Sequence, residues 1–251
     1  MIELAEVVRY LDEYLEIGRV PDSARAFNGL QVENAGKVTR VAAAVDASEA
    51  TIVAARAAGA DLLLVHHGLF WGGGAPVTGA RYRRTRELVQ AGIAVYSAHA
   101  PLDVHPEVGN NAVLAEAIGL KPEGGFASED GFSFGIWGRL EIRREALAAR
   151  LDEVLGGPVK LIPGGPERVE RVGVITGGAG GMIADAVGAG LDAFITGEGA
   201  HHTYFDAIDG GLNVYYGGHY ATEVWGVRAL AAHLEDRFGL PWTFLDLPTG
   251  L

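Results

Sequence analysis

The sequence predicts an α/β protein built from two related three-layer units. Continuous apolar strands alternate with amphipathic helices in its first half, which is typical of parallel strands covered on both faces. A glycine-rich, acidic stretch near the middle of the chain has the composition of a junction. A segment of the first half recurs in the second. With 251 residues, 49% of them hydrophobic, the chain is long enough for a first unit over 1–124 and a second over 125–251.

In the first half, the apolar spacing and the capping residues place alternating helices and strands. The predicted elements are a helix over 3–16, a strand over 41–45, a helix from Asp46 to Gly59, a strand over 62–65, a helix over 80–91 and a strand over 93–97. The second half begins after the junction near 123–131. Its first elements are a strand over 132–142, a helix over 144–155 and a strand near 159–162.

An internal repeat links the two halves. Residues 40–61 (RVAAAVDASEATIVAARAAGAD) align without gaps with residues 171–192 (RVGVITGGAGGMIADAVGAGLD). The identical pairs are Arg40/Arg171, Val41/Val172, Ile52/Ile183, Ala55/Ala186, Ala58/Ala189, Gly59/Gly190 and Asp61/Asp192. A shared strand–helix–strand pattern explains the apolar and glycine matches without any functional meaning. The polar matches that follow favour a duplication.

These polar matches lie beyond the predicted strands. Each copy continues into an apolar strand and then a histidine pair, His66-His67 in the first and His201-His202 in the second. Further on, GIAVYSAH and GLNVYYGGH both end in a histidine that an acidic residue follows four positions later. These combinations are His99 with Asp103 and His219 with Glu223.

The composition excludes several kinds of site. Without cysteine there is no disulfide, no thiolate nucleophile and no sulfur-ligated metal, so a metal would need His nitrogen and oxygen ligands. A net charge of -12 disfavours nucleic acid as a partner. No apolar run approaches the roughly 20 residues that span a bilayer, and the N-terminus is acidic and amphipathic rather than signal-like. We therefore expect a cytoplasmic protein that does not enter the membrane.

The histidines at the strand ends are the strongest candidates for chemistry. Open α/β sheets bind ligands beyond the carboxyl ends of their strands, where His66, His67, His99 and His219 are predicted to lie. Adjacent residues of a strand point to opposite faces, so one member of the His66-His67 pair could be an ordinary core or capping residue. Considered with the other strand-end residues, the pair favours a metal site for Zn, Mn, Fe or Co.

Two carboxylates complete the predicted ligand set of His66, His67, Asp103, His219 and Glu223. Asp103 follows a proline-containing turn and alone would be interpreted as a solvated loop residue. Glu223 lies in the first turn of a predicted helix, where the helix dipole favours a carboxylate with or without a metal.

Four further residues could orient ligands, move protons or contact substrate, and they are the catalytic candidates His99, Glu198, His201 and His202. The glycine-rich loop over 176–181 could cradle a phosphate. It lacks both the P-loop lysine and the dinucleotide spacing, which favours a tight structural turn.

Four motifs together resemble a known family. They are LVHHGLFW, SAHAPLDVHPEVGNNAVLAEAIGL, DAFITGEGAHHTYFDA and GGHYATEV, in that order. They are similar to the GTP cyclohydrolase 1 type 2 homologues, also called NIF-three-like proteins. The resemblance implies two related α/β units with two divalent ions in the cleft between them. It places Asp103 with one paired histidine on one ion, His219 with the other on the second, and Glu223 as the bridge.

Our preferred division places His66 with Asp103 and His67 with His219. The resemblance also implies a toroidal homohexamer and a hydrolase that uses metal-activated water on a small molecule such as the nucleotide GTP. The alternative is a metal-binding assembly or regulatory protein without turnover. Gly68 stands where many relatives carry proline, which alters the turn rather than the ligands.

Overall fold

A computed structural model of the chain describes residues 1–72 and 75–251. The predicted α/β class is confirmed. Helices alternate with strands along much of the chain, and most of the strands form two main sheets. The chain divides into two compact units, the first comprising 1–102 and 226–247 and the second 103–225 and 248–251. Within the described residues, no helix has both the length and the apolar character required to cross a bilayer.

Unit 1 contains a five-stranded sheet in which four neighbouring strands are parallel. Its elements are β1 (Ile2–Glu3), α1 (Leu4–Tyr14), β2 (Gly29–Val32), β3 (Lys37–Val38), β4 (Val41–Asp46), α2 (Glu49–Ala57), β5 (Leu62–His67), α3 (Gly79–Ala91), β6 (Ala94–Ser97), the start of α4 (Ala100–Val104) and β13 (Trp242–Phe244). The strand order is β13-β4-β5-β6-β2, with β2 antiparallel to β6. The small strands β1 and β3 pair separately.

Unit 2 contains a six-stranded sheet with the order β7-β8-β10-β11-β12-β9. Its elements are α5 (Asn110–Ala117), β7 (Lys121–Glu129), β8 (Phe132–Arg143), α6 (Arg144–Leu155), β9 (Lys160–Pro163), β10 (Arg168–Val174), a 3-10 turn (Ala179–Met182), α7 (Ile183–Gly188), β11 (Ala193–Thr196), α8 (Thr203–Asp209), β12 (Asn213–Tyr216) and the start of α9 (His219–Phe238). Strands β10, β11 and β12 are parallel, whereas β8 and β9 flank them antiparallel.

The burial pattern explains why the sequences of the parallel strands are continuous apolar runs. All five residues Val41–Val45 are buried, as are Leu62–Val65. In unit 2, one face of the sheet packs on residues of α5 and α6, and the other packs on residues of α7 and α8. Alternate side chains of a strand thus enter two different cores, which gives this unit three layers.

The boundaries of the units differ from the predicted division at residue 124, because the glycine-rich stretch belongs to the sheet of unit 2. β7 pairs antiparallel with β8 through a turn at Asp130 and Gly131, where φ is 48° and 86°. A Cβ on Gly138 would lie 2.1 Å from the Lys121 carbonyl oxygen, so glycine permits the close pairing of this hairpin. The chain changes unit inside α4 and α9 instead, which places Asp103 in unit 2 rather than with the first unit.

The internal repeat corresponds to repeated structure. In each unit three parallel strands follow one another in the sheet, and an antiparallel strand pairs with the third. The Asp61 carboxylate accepts the backbone N–H of Thr39 at 2.9 Å and of Arg40 at 3.1 Å. Asp192 accepts the backbone N–H groups of the two residues at the matching positions, both at 2.9 Å. The repeated aspartates therefore join the start of one strand to the start of the next.

The two histidine pairs, in contrast, do not occupy matching places. His66 and His67 are the last residues of β5. β11 ends at Thr196, and His201 and His202 follow it at a distance, exposed in the turn before α8. The sequence match between the pairs therefore has no structural counterpart.

Candidate metal centre

His66 closes strand β5 in unit 1 and is completely buried. Its Nδ1 lies 2.9 Å from the carbonyl oxygen of Ala98, just beyond the neighbouring strand β6. Because a carbonyl oxygen only accepts, Nδ1 carries the proton. The Nε2 lone pair is then directed away from this bond, and this is the atom through which such a histidine binds a metal.

His67 is held in the same way by the adjacent strand. Its Nδ1 lies 2.9 Å from Oδ1 of Asp46, the last residue of β4, which is its partner in the parallel register. This carboxylate fixes the ring orientation and favours the tautomer with Nε2 unprotonated. The strand-end position that marks the histidines as candidates is shared by Asp46, which in the sequence is predicted only to begin a helix.

His99 follows strand β6, and its Nδ1 lies 2.8 Å from Oδ1 of Asp22. Asp22 Oδ2 accepts from the Asn28 side chain at 2.8 Å and from the backbone N–H of Ala100 at 3.1 Å. Burial acts to raise the pKa of the Asp22 carboxyl. The hydrogen bond and charge of His99, together with hydrogen bonds from Asn28 and the backbone of Ser23, hold that pKa below its ordinary value.

The three histidines of unit 1 form one cluster. Each offers a ligand atom within 4.8 Å of those of the other two. The ring centroids of His66 and His67 are only 4.7 Å apart, so the expectation that they point to opposite faces does not hold. β5 pairs with β6 only as far as Val65 and Ser97, whereas its pairing with β4 continues to His67.

In unit 2, His219 and Glu223 lie one turn apart at the start of α9. His219 Nε2 is 3.2 Å from Oε1 of Glu223, and His219 Nδ1 is 2.8 Å from Oε1 of Glu198. Glu223 is only 3% exposed, and a carboxylate is rarely buried to this extent without a partner, a role that His219 fills here. Glu198 orients the His219 ring as Asp46 orients His67, which supports the predicted relation between Glu198 and the candidate ligands.

The two carboxylates act on the ionisation of His219. The hydrogen bond to Glu223 raises the pKa of His219 to about 9, against the opposing effect of burial and with help from the charge of Glu223 and from Glu198. In the metal-free protein His219 is therefore an imidazolium at neutral pH. A metal ion that binds Nε2 of His219 must displace the proton on that nitrogen.

The loop after β10 contacts Asp103, which is the remaining carboxylate among the candidate ligands. Asp103 Oδ1 accepts from Asn110 Nδ2 at 2.8 Å and from Thr176 Oγ1 at 3.3 Å. The next residue, Gly177, has φ of 69°, and a Cβ there would lie 2.0 Å from Glu223 Oε1 and 3.4 Å from His219 Nε2. The glycine-rich loop is a tight turn, as predicted, and its first glycine leaves room for the candidate ligands.

His201 and His202 take no part in these clusters within the described residues. Both are exposed beside the N-terminus of α8, and His201 borders a cavity that Glu198 also lines. Asp22, Asn110 and Thr176, in contrast, hold candidate residues although the sequence carried no signal for them. Asp22 is 77 residues from His99, so only the fold reveals their contact.

The donor chemistry suits a divalent metal. Three imidazoles have Nδ1 next to an oxygen acceptor, and carboxylates accompany them at the carboxyl ends of parallel strands. Neutral imidazole and carboxylate are ligands for Zn, Mn, Fe and Co, and an outer oxygen on Nδ1 is the usual support of a metal-binding histidine. These features define a two-unit α/β protein with groups of histidines and carboxylates that could hold a metal ion.

The family follows from comparison with known sequences. The chain belongs to the family Duf34/NIF3 (NGG1p interacting factor 3), whose profile matches residues 2–249. A Deinococcus radiodurans protein named GTP cyclohydrolase 1 type 2 homolog is 48% identical over 98% of this chain and 94% of its own length. The Archaeoglobus fulgidus protein of the same name is 42% identical, with all of both chains covered. The predicted family resemblance is confirmed.

Solved structures agree with this assignment. The protein ybgI, described as of unknown function, has a TM-score of 0.93 and 37% identity over the whole of both chains. The protein TTHA1606 from Thermus thermophilus has a TM-score of 0.88 and 44% identity, again over both complete chains.

Proposed function

We propose that this protein is a dinuclear metal-dependent hydrolase whose two divalent ions are Zn, Mn, Fe or Co. The proposed ligands are His66, His67, Asp103, His219 and Glu223, with Glu223 as the bridge. The observation that carries the proposal is the shared geometry of these three imidazoles, each with Nδ1 bonded to an oxygen, an arrangement that leaves a metal to bind through Nε2. In the metal-free protein Nε2 of His219 lies 3.2 Å from Glu223 Oε1, so the ion would take the place of the proton there. The preferred division remains His66 with Asp103 and His67 with His219.

Five ligands and two ions define the chemistry that the site would supply. A pair of divalent ions lowers the pKa of a bound water towards neutrality and polarises the electrophile that this water attacks. The names of the relatives support a ring-opening hydrolysis of a purine nucleotide such as GTP. Glu198 fixes the orientation of His219 through the 2.8 Å hydrogen bond to Nδ1.

His99 is proposed to move protons rather than to bind metal. Asp22 holds its Nδ1 at 2.8 Å, and Asn28 accepts its backbone N–H at 2.7 Å. An imidazole fixed in this manner accepts a proton at Nε2 while the carboxylate stabilises the resulting imidazolium. His201 and His202 stay predictions as proton carriers or substrate contacts.

Metal analysis of the purified full chain after metal supply tests the proposal. We expect two equivalents per chain, and we expect His67→Ala and Glu223→Gln each to lower this number while circular dichroism stays unchanged. His105→Asn is the matched control, because its amide oxygen can accept the backbone N–H bonds that His105 Nδ1 accepts from Glu107 and Val108. One equivalent that Glu223→Gln leaves unaltered would refute the bridging role.

Activity separates the hydrolase from the alternative of a metal-binding protein without turnover. The metal-loaded chain is incubated with GTP, other nucleotides, phosphoesters and cyclic amides, and products are followed by chromatography. We expect turnover that chelation abolishes and that His99→Gln reduces at unchanged metal content. Full metal occupancy with no turnover of any substrate would favour the alternative.

We also propose the toroidal homohexamer that the family resemblance implies. Light scattering coupled to size-exclusion chromatography should give six times the mass of one chain. A monomer or dimer at micromolar concentration would contradict this assembly.

A further inference from the structure

Unit 2 contains a cavity of about 580 Å³. Its described lining includes Glu198 but none of the five proposed metal ligands. It lies between the start of α8 and the strands β9 and β12. Its volume is within the roughly 300–1,000 Å³ typical of small-molecule pockets. The lining residues that matter here are Lys160, Glu198, His201, Tyr204, Phe205 and Tyr216.

One wall of the cavity is aromatic. The rings of His201 and Phe205 have centroids 6.1 Å apart, and those of Tyr204 and Phe205 are 5.4 Å apart, both pairs edge to face. Tyr204 is 46% exposed and Phe205 is 55% exposed. Large aromatic side chains that border a concave site with their faces accessible are platforms on which a flat ring can stack.

Among the described residues that line the cavity, Lys160 supplies a positive charge. Lys160, on the edge strand β9, pairs in register with Tyr216 of β12. Among the described residues, its ammonium group forms no salt bridge, although acidic residues outnumber basic ones by 32 to 20 in the whole chain. A lysine kept without a carboxylate partner at the rim of a cavity is suited to an anionic ligand group.

Hydrogen bonds attach the start of α8, and the turn before it, to β12. Thr203 Oγ1 and Tyr216 Oη are 2.6 Å apart, and Thr203 Oγ1 also donates to the carbonyl oxygen of Ala200. A Cβ on Gly199 would lie 2.3 Å from Tyr216 Oη, so glycine allows this backbone to pass close to the phenol. The turn that presents His201 is therefore fixed against β12.

We propose that this cavity binds a flat heteroaromatic ring that carries an anionic substituent. The ring stacks on Phe205, to which the rings of His201 and Tyr204 are both nearly perpendicular, and the anion pairs with Lys160. Glu198 borders the cavity and also accepts the Nδ1 proton of His219, so a ring bound here lies beside a proposed metal ligand. The position of the ring beside a metal ligand rests on the proposed function, whereas binding of the ring in the cavity does not.

The test uses GMP as the probe on the full-length chain, in metal-loaded and in chelated form, with binding measured by isothermal titration calorimetry. Guanosine supplies the ring without the charge, and ribose 5-phosphate supplies the charge without the ring. We expect GMP to bind both forms of the protein, guanosine to bind about tenfold more weakly, and ribose 5-phosphate to bind weakest.

Two variants with matched controls locate the site. Phe205→Leu should weaken GMP about five- to 100-fold through lost stacking, whereas Tyr82→Leu, at an exposed aromatic residue of unit 1, should have no effect. Lys160→Gln should weaken GMP about tenfold but leave guanosine unchanged, whereas Lys121→Gln, at another exposed lysine of unit 2, should alter neither.

Several results would overturn the inference. They are equal binding of GMP to Phe205→Leu and the parent chain, binding of ribose 5-phosphate as tight as GMP, and a change of oligomeric state in Phe205→Leu without a change of affinity. The last would identify the aromatic wall as a protein contact. Metal content is measured on the same samples, so a chain that binds GMP but no metal refutes only the metal proposal, and a chain that binds metal but no GMP refutes only the cavity.

Discussion

The two units repeat one scaffold but present different groups at the ends of equivalent strands. The comparison is clearest at two residues that align in the internal repeat, which are Asp46 at the end of β4 in unit 1 and Gly177 in the loop after β10 in unit 2. Asp46 is a hydrogen-bond acceptor for His67, whereas Gly177 has no side chain and leaves space for Glu223. The two residues align in sequence, but Asp46 supports a histidine whereas Gly177 leaves room for a carboxylate.

His99 and His219 each follow the third parallel strand of the repeat in their unit. Both bond to a carboxylate through Nδ1, but the carboxylate comes from a different part of each unit. His99 bonds to Asp22, which comes from a loop that precedes β2, and His219 bonds to Glu198, which follows β11. Unit 1 thus clusters three imidazoles, whereas unit 2 combines one imidazole with carboxylates. A duplicated scaffold preserves where a functional group can be placed, because strand ends are fixed by the sheet, and it leaves the choice of group open.

The largest expected effect comes from filling the space that Gly177 leaves beside Glu223 in unit 2. Gly177→Ala places a Cβ 2.0 Å from Glu223 Oε1 at a φ of 69°, so the loop and the carboxylate cannot both keep their positions. We expect a loss of about 2–4 kcal/mol in the free energy of unfolding, measured in urea, and reduced metal content. Gly181→Ala is the control, since no atom lies within 4 Å of its added Cβ. Equal stability of the two variants would contradict the clearance role.

The second prediction concerns pH and applies to His219. Its pKa is raised to about 9, first by the hydrogen bond to Glu223, so the metal-free protein gains stability that is fully present below about pH 6.5. This contribution, at most roughly 3 kcal/mol, is lost as pH rises to 9.

Metal binding should show the opposite dependence, because the ion replaces the His219 proton and its apparent affinity increases over the same range. Denaturant titrations of chelated and metal-loaded protein at several pH values check both signs. Glu198→Gln should reduce both slopes, since it removes one of the charges that raise this pKa. Parallel slopes for the two forms would be inconsistent with a proton displaced by metal.

The third prediction compares the two supporting carboxylates. Asp46→Ala removes the acceptor of His67 Nδ1, and Glu198→Ala removes that of His219 Nδ1. Each should lower metal affinity about 10- to 100-fold while the fold is retained, as is usual for outer partners of metal-binding histidines. Competition with a chromophoric chelator measures the effect. Asp46→Asn keeps an acceptor oxygen and should be milder, and unchanged affinity in both alanine variants would argue against metal at these histidines.

The smallest effect tests the symmetry of the scaffold itself. Asp61 and Asp192 make the same bonds to two backbone N–H groups each, so Asp61→Ala and Asp192→Ala should each cost about 1–2 kcal/mol. Chemical unfolding of the two variants gives the comparison directly. A large effect in only one unit would show that the repeated aspartates have diverged in their structural role.

From the sequence alone, the main strands and helices of the repeat and the residues at their ends are predicted, because burial imposes their periodicity locally. The short strands β1, β2, β3 and β13 and the helices α4 and α5 are not. Ser48 caps α2 by accepting the Thr51 N–H, within the segment where a cap was predicted, and β5 ends at the histidine pair. The sequence motifs also identified the family, and the five proposed ligands remain predictions drawn from them.

Only the tertiary structure decided which groups support the candidate ligands and where the units divide. The glycines over 123–131 resemble a linker in composition, yet they serve the close pairing of a hairpin, which depends on the partner strand. Asp22 reaches His99 across 77 residues, and Thr176 reaches Asp103 across 73. Such contacts arise when a sheet brings distant strand ends together, and no local pattern encodes them, because the sequence around each residue constrains only its own element.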